Sequence, residues 1–443
     1  MGSSNVNRQV HSLILSWFNR YIQAEPEERK SALLSFGYFF CILSSYYILR
    51  PLREEMGVAG GVENLPYLYL GTLGGMFLAT PVFGALVTKY SRRVFIPVVY
   101  HFFALNLLTF YILTLTLSEA NQVWLGRVFF VWISVFNLFV VTVFWGFMAD
   151  IFTFEGAKRL YGFIAMGGSL GGLVGAGITA FLVEIVGRVH LVLFSLALLE
   201  LAVLFIRAIN AREKERGNSP EVGSTKDQLT LKDIFNGINL MVRSRFLLGI
   251  SLYLFLYSFT STAFYFQQAS IVDNHIIDRA ARAAFFGRID FAVNSLTVLI
   301  QLFFTSKILR WIGIGKTLVI LPFITIFSFF GLGFVATPIV IAMIQVLRRT
   351  TNFALTRPAN EALFTVLTPE EKYKAKSFLD TFIYRGGDAI VAGLFGMLQS
   401  IGASLSVISL WAAPFGVLWG GVGLWLGVKV ESERKKKPPI QME

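Results

Sequence analysis

The sequence predicts an all-α polytopic membrane protein with 12 transmembrane helices in two six-helix bundles. Composition is the first indication: 55% of the 443 residues are hydrophobic and only 15% are charged, whereas soluble domains carry about 25% charged residues. The second is the recurrence of apolar runs of about twenty residues, the length that crosses a bilayer. A polar central segment divides these runs into two groups of six.

The predicted spans divide the chain into five regions. The spans are residues 31–49, 65–88, 94–117, 123–147, 161–186 and 191–206 in the first bundle, and 246–272, 283–305, 317–335, 338–366, 377–400 and 405–428 in the second. The regions are an N-terminal arm (1–30), a first bundle (31–207), a linker with a short amphipathic helix (208–245), a second bundle (246–428) and a basic tail (429–443).

The distribution of basic residues predicts the orientation. With both termini on one side, 28 of the 39 Lys and Arg face that side and 6 face the other. Cytoplasmic loops are the ones enriched in Lys and Arg. We therefore predict a multi-pass inner-membrane protein with both termini in the cytoplasm, and we attribute the net charge of +12 to these loops.

Catalytic and metal-binding motifs are absent from the sequence. The single Cys41 excludes an intramolecular disulfide, and the four His are scattered without ligand spacing. Gly315-Lys316-Thr317 resembles the end of a phosphate-binding loop, but Arg310 occupies the position of its first glycine. We expect neither an enzyme nor a cofactor.

A first group of polar residues closes the first predicted span. It contains Tyr46, Arg50, Arg53 and Glu54, with Pro51 expected to kink or end the helix. Arg50 and Glu54 are spaced as i,i+4 neighbours if the helix continues. Arginine offers a fixed fork of donors for carboxylate or phosphate oxygens. The alternative is a solvated outer mouth without a function.

A second group lies where the fourth span ends and the fifth begins. Its mixture of acids and bases suits a cytoplasmic gate that opens and closes during a transport cycle. The residues we assign to gating are Glu54, Arg92, Arg93, Asp150, Glu155, Lys158 and Arg159.

A third group, in the tenth and eleventh spans, is the densest. Charges inside a membrane span are costly and therefore indicate function, although structural ion pairs are the alternative. A net-basic lining suits an anionic solute. Asp290, Arg288, Gln267, Gln268 and Tyr265 are secondary candidates. The predicted substrate-binding residues are Tyr46, Arg50, Arg53, Asn137, Arg349, Arg357, Glu361, Lys376, Asp380, Arg385 and Asp388.

One loop pattern supports a two-bundle carrier, and one glycine pattern predicts helix packing. The segment from Gly84 to Arg93 resembles the facilitator loop pattern G-x-x-x-D-R-x-G-R-R, with Thr88 in place of the acid. A cluster that only follows the positive-inside rule is the alternative. In the fifth span, Gly168 and Gly172 have GxxxG spacing, as do Gly171 and Gly175, which predicts close helix packing.

Three longer segments resemble the nucleotide transporter family of ATP/ADP translocases. They are ILRPLREEMGV, FWGFMADIFTFEGAKRLYGF and RPANEALFTVLTPEEKYKAKSFLDTFIYRGGDA. The resemblance implies a major-facilitator-type fold that exchanges large anions. It places Arg53 at a family lysine, and Lys374, Lys376 and Asp380 on the K-x-K-x-x-x-D motif. The short bacterial branch of the family is the most similar.

The chain departs from the family at two places. Pro51 follows Arg50 where the family has an acid, and the stretch from Trp132 to Asn137 lacks the family's glutamate. We predict a secondary transporter of an organic or phosphorylated anion, including nucleotides, that acts by alternating access. Its expected partners are this small anion and the lipid bilayer, with no nucleic acid, and we expect a monomer. A carrier of a lipid or amphiphile and a non-transporting sensor are the alternatives.

Overall fold

The computed structural model describes residues 25, 27–90, 92–215, 244–364, 367, 379 and 383–436. Twelve helical rods lie within these residues, and they confirm the predicted all-α membrane fold. The first six are α1 (Glu28–Ala59), α2 (Leu65–Lys89), α3 (Arg92–Thr116), α4 (Glu119–Ile151), α5 (Phe154–Val186) and α6 (Arg188–Glu215). The second six are α7 (Arg245–His275), α8 (Arg279–Phe303), α9 (Thr305–Phe334), α10 (Pro338–Thr351, Asn352–Thr356 and Arg357–Leu363), α11 (Tyr384–Ser400) and α12 (Leu405–Lys436).

Nine helices in this described part of the chain are long and apolar enough to cross a membrane. The chain is therefore a multi-pass membrane protein. Because successive helices alternate in direction, both ends of each half lie on one side. We call the side where α1 begins the near end and the side where α1 finishes the far end. The predicted linker helix at 229–240 and the tail beyond residue 436 lie outside the described residues.

Helix α1 extends well beyond the end expected from sequence. The predicted span stops at Leu49, and Pro51 was expected to kink or terminate the helix, but α1 continues through Pro51 to Ala59. Pro51 is buried, and membrane helices tolerate proline because neighbouring helices satisfy the backbone groups that it frees. The extra turns carry Arg53, Glu54 and Glu55 into the interface between the halves.

Helix α10 contains a widened turn. Residues Asn352–Thr356 form a π-helical segment between two α-helical parts. The amide of Gln301 donates to the Phe353 carbonyl at 3.1 Å, and the Thr305 hydroxyl donates to the Ala354 carbonyl at 2.8 Å. Such turns occur frequently at functional sites, and this one lies between Arg349 and Arg357.

Glycines allow α1 and α5 to pack backbone to backbone in the first half. A Cβ atom at Gly167, Gly171 or Gly175 would overlap a carbonyl oxygen of α1, so these positions admit no side chain. The Ser44 hydroxyl donates to the Gly171 carbonyl at 3.0 Å. The expected close packing of the fifth span is therefore present, with Gly168 and Gly172 facing Phe39 and Tyr47 on the same helix.

The two halves meet closely at the far end. A Cβ atom at Gly287 of α8 would lie 2.8 Å from the backbone nitrogen of Ala180 on α5, so these helices also touch through backbone. An apolar plug, formed by residues of both halves, fills the space between them. It comprises Val58, Val62, Leu65, Leu68 and Phe130 from the first half and Phe266, Ala269, Val272, Phe286, Ala392, Phe395 and Ile408 from the second. The far end is therefore closed.

Candidate functional site

A cavity of about 550 Å³ lies between the halves, on the near side of the plug. Helices α1 and α5 of the first half and α7, α8 and α10 of the second half line it. Its aromatic wall includes Phe39, Tyr47, Phe353 and Phe364. Cavities of this volume hold small organic ligands.

The polar lining of the cavity comes mainly from α8 and α10. Asn294, Thr297 and Gln301 lie on one face of α8, and Arg357, Asn360 and Glu361 follow the widened turn of α10. Among the described atoms, the Thr297 hydroxyl and the side-chain amide oxygen (Oδ1) of Asn360 are buried without a hydrogen-bond partner. Unsatisfied buried polar groups are costly, and both of these residues line the cavity.

Three charged side chains converge one helical turn beyond the deep end of the cavity. Arg50 on α1 lies 3.1 Å from Oδ1 of Asp290 on α8, and Arg349 on α10 lies 2.6 Å from the same oxygen. Asp290 is buried, with 4% of its side chain exposed. One carboxylate thus holds arginines from both halves, and the group carries one net positive charge.

The neighbouring Arg348 has a different environment. It is buried inside the second half, where it donates to the hydroxyls of Ser261 at 3.2 Å and Thr325 at 3.3 Å. Its guanidinium lies 4.2 Å from the centre of the Phe264 ring. Only Arg349 of this Arg-Arg pair therefore reaches the interface between the halves.

Arg53 and Glu54 lie closer to the far end, against the plug. They pair with each other at 3.4 Å, and Arg53 lies 4.0 Å from the centre of the Phe130 ring. The sequence predicted an i,i+4 pair between Arg50 and Glu54. That pairing is wrong, because Asp290 attracts Arg50 across the interface and leaves Glu54 to Arg53.

A second charged group, which we call the far-end latch, joins the halves. Glu55 is fully buried and accepts from Arg279 at the start of α8, while Arg188 at the start of α6 lies 3.5 Å from its other oxygen. A more exposed pair at the same end, Arg288 with Glu184 at 3.1 Å, also links the halves.

The residues assigned to gating lie on several helices: Glu54 on α1 near the far end, Arg92 and Arg93 at the start of α3, and the others at the end of α4 and the start of α5. Arg159 pairs with Glu25 at 2.9 Å and with Glu28 at 3.0 Å, so its ion pairs stay within the first half. Asp150 and Glu155 are exposed. The side chains of Arg92, Arg93 and Lys158 lie outside the described part, so gating by this group stays a prediction.

The remaining sequence candidates do not gather at one place. Tyr46 packs against Tyr47, with ring centres 5.3 Å apart, and Asn137 is half-buried on α4 away from the cavity wall. Asp388 accepts from the hydroxyls of Ser258 at 2.5 Å and Thr262 at 2.8 Å. Lys376, Asp380 and the side chain of Arg385 lie outside the described residues. Arg357 and Glu361 line the cavity without forming an ion pair with each other.

Sequence reasoning underrated the acids that organise both charged groups. Asp290 was only a secondary candidate, and Glu55 was not singled out. The arginine partners of each acid lie on other helices, so no local spacing indicates the pairing. The available signal was the location of the acid: an acid in or beside an apolar span needs a cation nearby.

Comparison with known proteins identifies the fold. A family model described as the Major Facilitator Superfamily matches residues 146–407. The chain belongs to the major facilitator superfamily. Together with the relatives and solved structures described below, this match assigns the chain to the secondary transporters.

The chain is also similar to ADP,ATP carrier proteins of Chlamydia, as its motifs indicated. It is 23% identical to ADP,ATP carrier protein 2 of Chlamydia pneumoniae, with 88% of this chain and 86% of the relative covered. It is 23% identical to ADP,ATP carrier protein 1 of Chlamydia trachomatis, with 88% and 87% covered. The similarity extends across both halves.

Solved transporter structures share the fold. A bacterial homologue of the human lysosomal transporter Spinster, in an inward-facing and unoccupied conformation, has a TM-score of 0.59 at 12% identity, covering 94% of this chain and 100% of its own. A bacterial homologue of the iron transporter ferroportin in an inward-facing state also scores 0.59, at 16% identity and 91% and 100% coverage. The nucleoside transporter NupG scores 0.58 at 12% identity, with 93% and 100% coverage.

Proposed function

We propose that this secondary transporter carries an organic or phosphorylated anion by alternating access and exchanges adenine nucleotides of the ATP/ADP type. The observation that carries the proposal is the convergence of Arg50 and Arg349, from opposite halves, on the single carboxylate of Asp290. An anion bound there would contact both halves at once. Its binding would therefore depend on how the halves are arranged.

The charge of this group favours an anion. Two guanidinium groups share one carboxylate, so one positive charge remains uncompensated within the group. A phosphate or carboxylate oxygen can replace Asp290 at an arginine, because the guanidinium fork binds either in a bidentate manner. We expect the substrate's anionic group to compete with Asp290 for Arg50 and Arg349.

The adjoining cavity would hold the rest of the substrate. Its aromatic wall, with Tyr47 and Phe353, offers surfaces for stacking. Thr297 and Asn360 offer hydrogen-bonding atoms that have no partner among the described residues. Arg357 supplies a further cation in the lining of the cavity. This combination suits a molecule with an anionic end and a planar or hydroxylated end.

The closed far end defines the state of the carrier. With both termini in the cytoplasm, as the basic loops predict, the cavity would be accessible from inside and the plug and latch would close the outside. Opening to the other side requires Glu55 to release an arginine and α5 to separate from α8. This is the rigid-body rearrangement expected of two packed halves.

The relatives named ADP,ATP carrier proteins support a nucleotide as substrate. The translocase family has a glutamate in the stretch from Trp132 to Asn137, and this chain has no acid there. Other anions should therefore be tested as well as nucleotides. A lipid or amphiphile carrier would not need two arginines between the halves. A non-transporting sensor would bind the anion without producing flux.

A thermal-shift screen of purified protein tests this proposal. ATP, ADP, inorganic phosphate and a phosphorylated sugar are added separately to the wild type and to Arg349→Gln. A ligand at 100 times its Kd stabilises the folded state by about 2.7 kcal/mol. We expect stabilisation by ATP and ADP that Arg349→Gln abolishes.

The matched control is Arg288→Gln, which removes an exposed arginine of the same interface. This variant should respond to ligand as the wild type does. Wild-type response in Arg349→Gln, or no response of the wild type to any anion, would overturn the proposal.

A further inference from the structure

A groove of about 500 Å³ runs between α7 and α12 of the second half. Its walls are almost wholly apolar, and its near end carries one charged residue, Arg245. The residues that line it are Arg245, Leu248, Gly249, Leu252, Leu418, Gly421, Val422 and Trp425. We infer that this groove binds an anionic phospholipid, with an acyl chain along the groove and the headgroup phosphate on Arg245.

Two glycines explain why the groove exists. A Cβ atom at Gly421 would meet nothing within 4 Å, so this position leaves open space on the groove wall. At Gly249, a Cβ atom would overlap the Trp425 ring, so the indole lies directly on the α7 backbone. The groove is therefore open at Gly421, and the Trp425 ring packed on Gly249 forms part of its wall.

The groove is long enough for part of a lipid tail. From Arg245 to Leu252, the helix rises about 10 Å at 1.5 Å per residue, which is about two-thirds of the roughly 15 Å hydrocarbon depth of one leaflet. Arg245 is the first residue of α7, at the near end, and the Trp425 ring of α12 packs on Gly249, one turn further in. Arginine and tryptophan at this level are typical of the boundary between headgroups and hydrocarbon. The apolar wall below them faces the acyl region.

The charge at the mouth selects the headgroup. Arg245 is exposed, and no carboxylate of the described chain lies within ion-pair distance of it. Each basic residue near the membrane surface contributes to the attraction of anionic lipids. The groove has an apolar lining and belongs to a membrane protein, so bilayer lipid is the ligand available to it. The one cation in its lining, Arg245, complements one phosphate group.

Native mass spectrometry of the purified full chain tests this inference. The protein is mixed with equal amounts of phosphatidylglycerol and phosphatidylcholine before detergent exchange. We expect the wild type to retain phosphatidylglycerol preferentially. Arg245→Gln should retain about fivefold less of it, since one basic residue near the surface contributes about that factor. Gly421→Leu fills the groove and should lose both lipids.

Two control variants separate this groove from general effects. Arg310→Gln removes another exposed arginine of the second half, and Gly331→Leu adds a side chain where a Cβ atom likewise meets nothing within 4 Å. Both should bind lipid as the wild type does. Equal retention of the two lipids by the wild type, or wild-type retention by Arg245→Gln or Gly421→Leu, would overturn the inference. Displacement of the phosphatidylglycerol by inorganic phosphate would do so too, because it would indicate a site for a free anion.

Discussion

Arg50 and Arg349 bind the same oxygen of Asp290, at 3.1 and 2.6 Å, although they belong to different halves of the molecule. The three residues are far apart in sequence and lie on α1, α8 and α10. A buried carboxylate that is shared in this way fixes the halves in one arrangement. An anion that displaces this carboxylate would bind the same two arginines.

Removal of this carboxylate should destabilise the protein. Asp290→Asn leaves two guanidinium groups inside the membrane with no negative charge between them, and breaking a buried ion pair from one side costs about 3–5 kcal/mol. We expect a lower melting temperature and no flux. The double variant Asp290→Asn/Arg349→Gln restores the net charge of the group. It should regain stability without regaining anion binding, and a melting temperature no higher than that of Asp290→Asn would contradict the account.

The far-end latch should control access from the far side. Glu55→Gln weakens the contacts to Arg188 and Arg279, so the closed arrangement loses stability relative to the open one. A cysteine placed at Val62, within the plug, should then react faster with a membrane-impermeant thiol reagent. Cys41 is buried and gives a low background.

Glu184→Gln is the matched control for the latch. Its partner Arg288 also joins the halves, but both side chains are about half exposed, and such pairs contribute at most about 1 kcal/mol. Labelling should stay near the wild-type rate in this variant. If Glu184→Gln labels as fast as Glu55→Gln, the burial of Glu55 is not what holds the far end closed.

The backbone contact between α1 and α5 makes Gly171 sensitive to any side chain. In Gly171→Ala, the added methyl group would overlap the Phe40 carbonyl oxygen, and overpacking of this kind costs about 1–3 kcal/mol. Gly162→Ala, on the same helix where a Cβ atom meets nothing within 4 Å, should be neutral. Thermal unfolding in detergent compares the two variants, and equal melting temperatures would show that the helices can separate without cost.

Arg357 should affect transport without affecting stability. It is exposed on the cavity wall, 5.2 Å from the centre of the Phe353 ring, and has no acidic partner among the described residues. Arg357→Ala should therefore change the melting temperature little, since substitutions at exposed sites stay within about 0.5 kcal/mol. We expect flux in proteoliposomes to fall at least tenfold. Wild-type flux would exclude Arg357 from the substrate path.

The helical plan could be predicted from sequence because the bilayer imposes it. Each span needs about twenty apolar residues, and the loops rich in Lys and Arg all lie on one side, so hydropathy and charge locate the helices. The end of α1 was wrong because proline inside a membrane helix need not terminate it. The extension beyond Pro51 matters, since Glu55, which anchors the latch, lies on it.

The charged groups could be predicted only in part. Arg349 stood out as a cation inside an apolar span and Arg50 as a cation at the end of one, but their shared partner Asp290 was ranked below them. The i,i+4 spacing suggested an ion pair between Arg50 and Glu54. In the structure, Arg50 pairs instead with the buried Asp290 across the interface. Contacts between α1, α8 and α10 depend on how the helices pack, and the order of residues along one helix does not contain that information.

Nucleotide exchange in proteoliposomes tests the central claim most directly. Vesicles containing the protein are loaded with unlabelled ADP and diluted into labelled ATP, and uptake is compared among the wild type, Arg349→Gln and Arg288→Gln. The account predicts uptake that requires internal ADP, is lost in Arg349→Gln and is retained in Arg288→Gln. Full exchange by Arg349→Gln, in protein that is folded and inserted, would contradict a substrate site between the halves on Arg50 and Arg349.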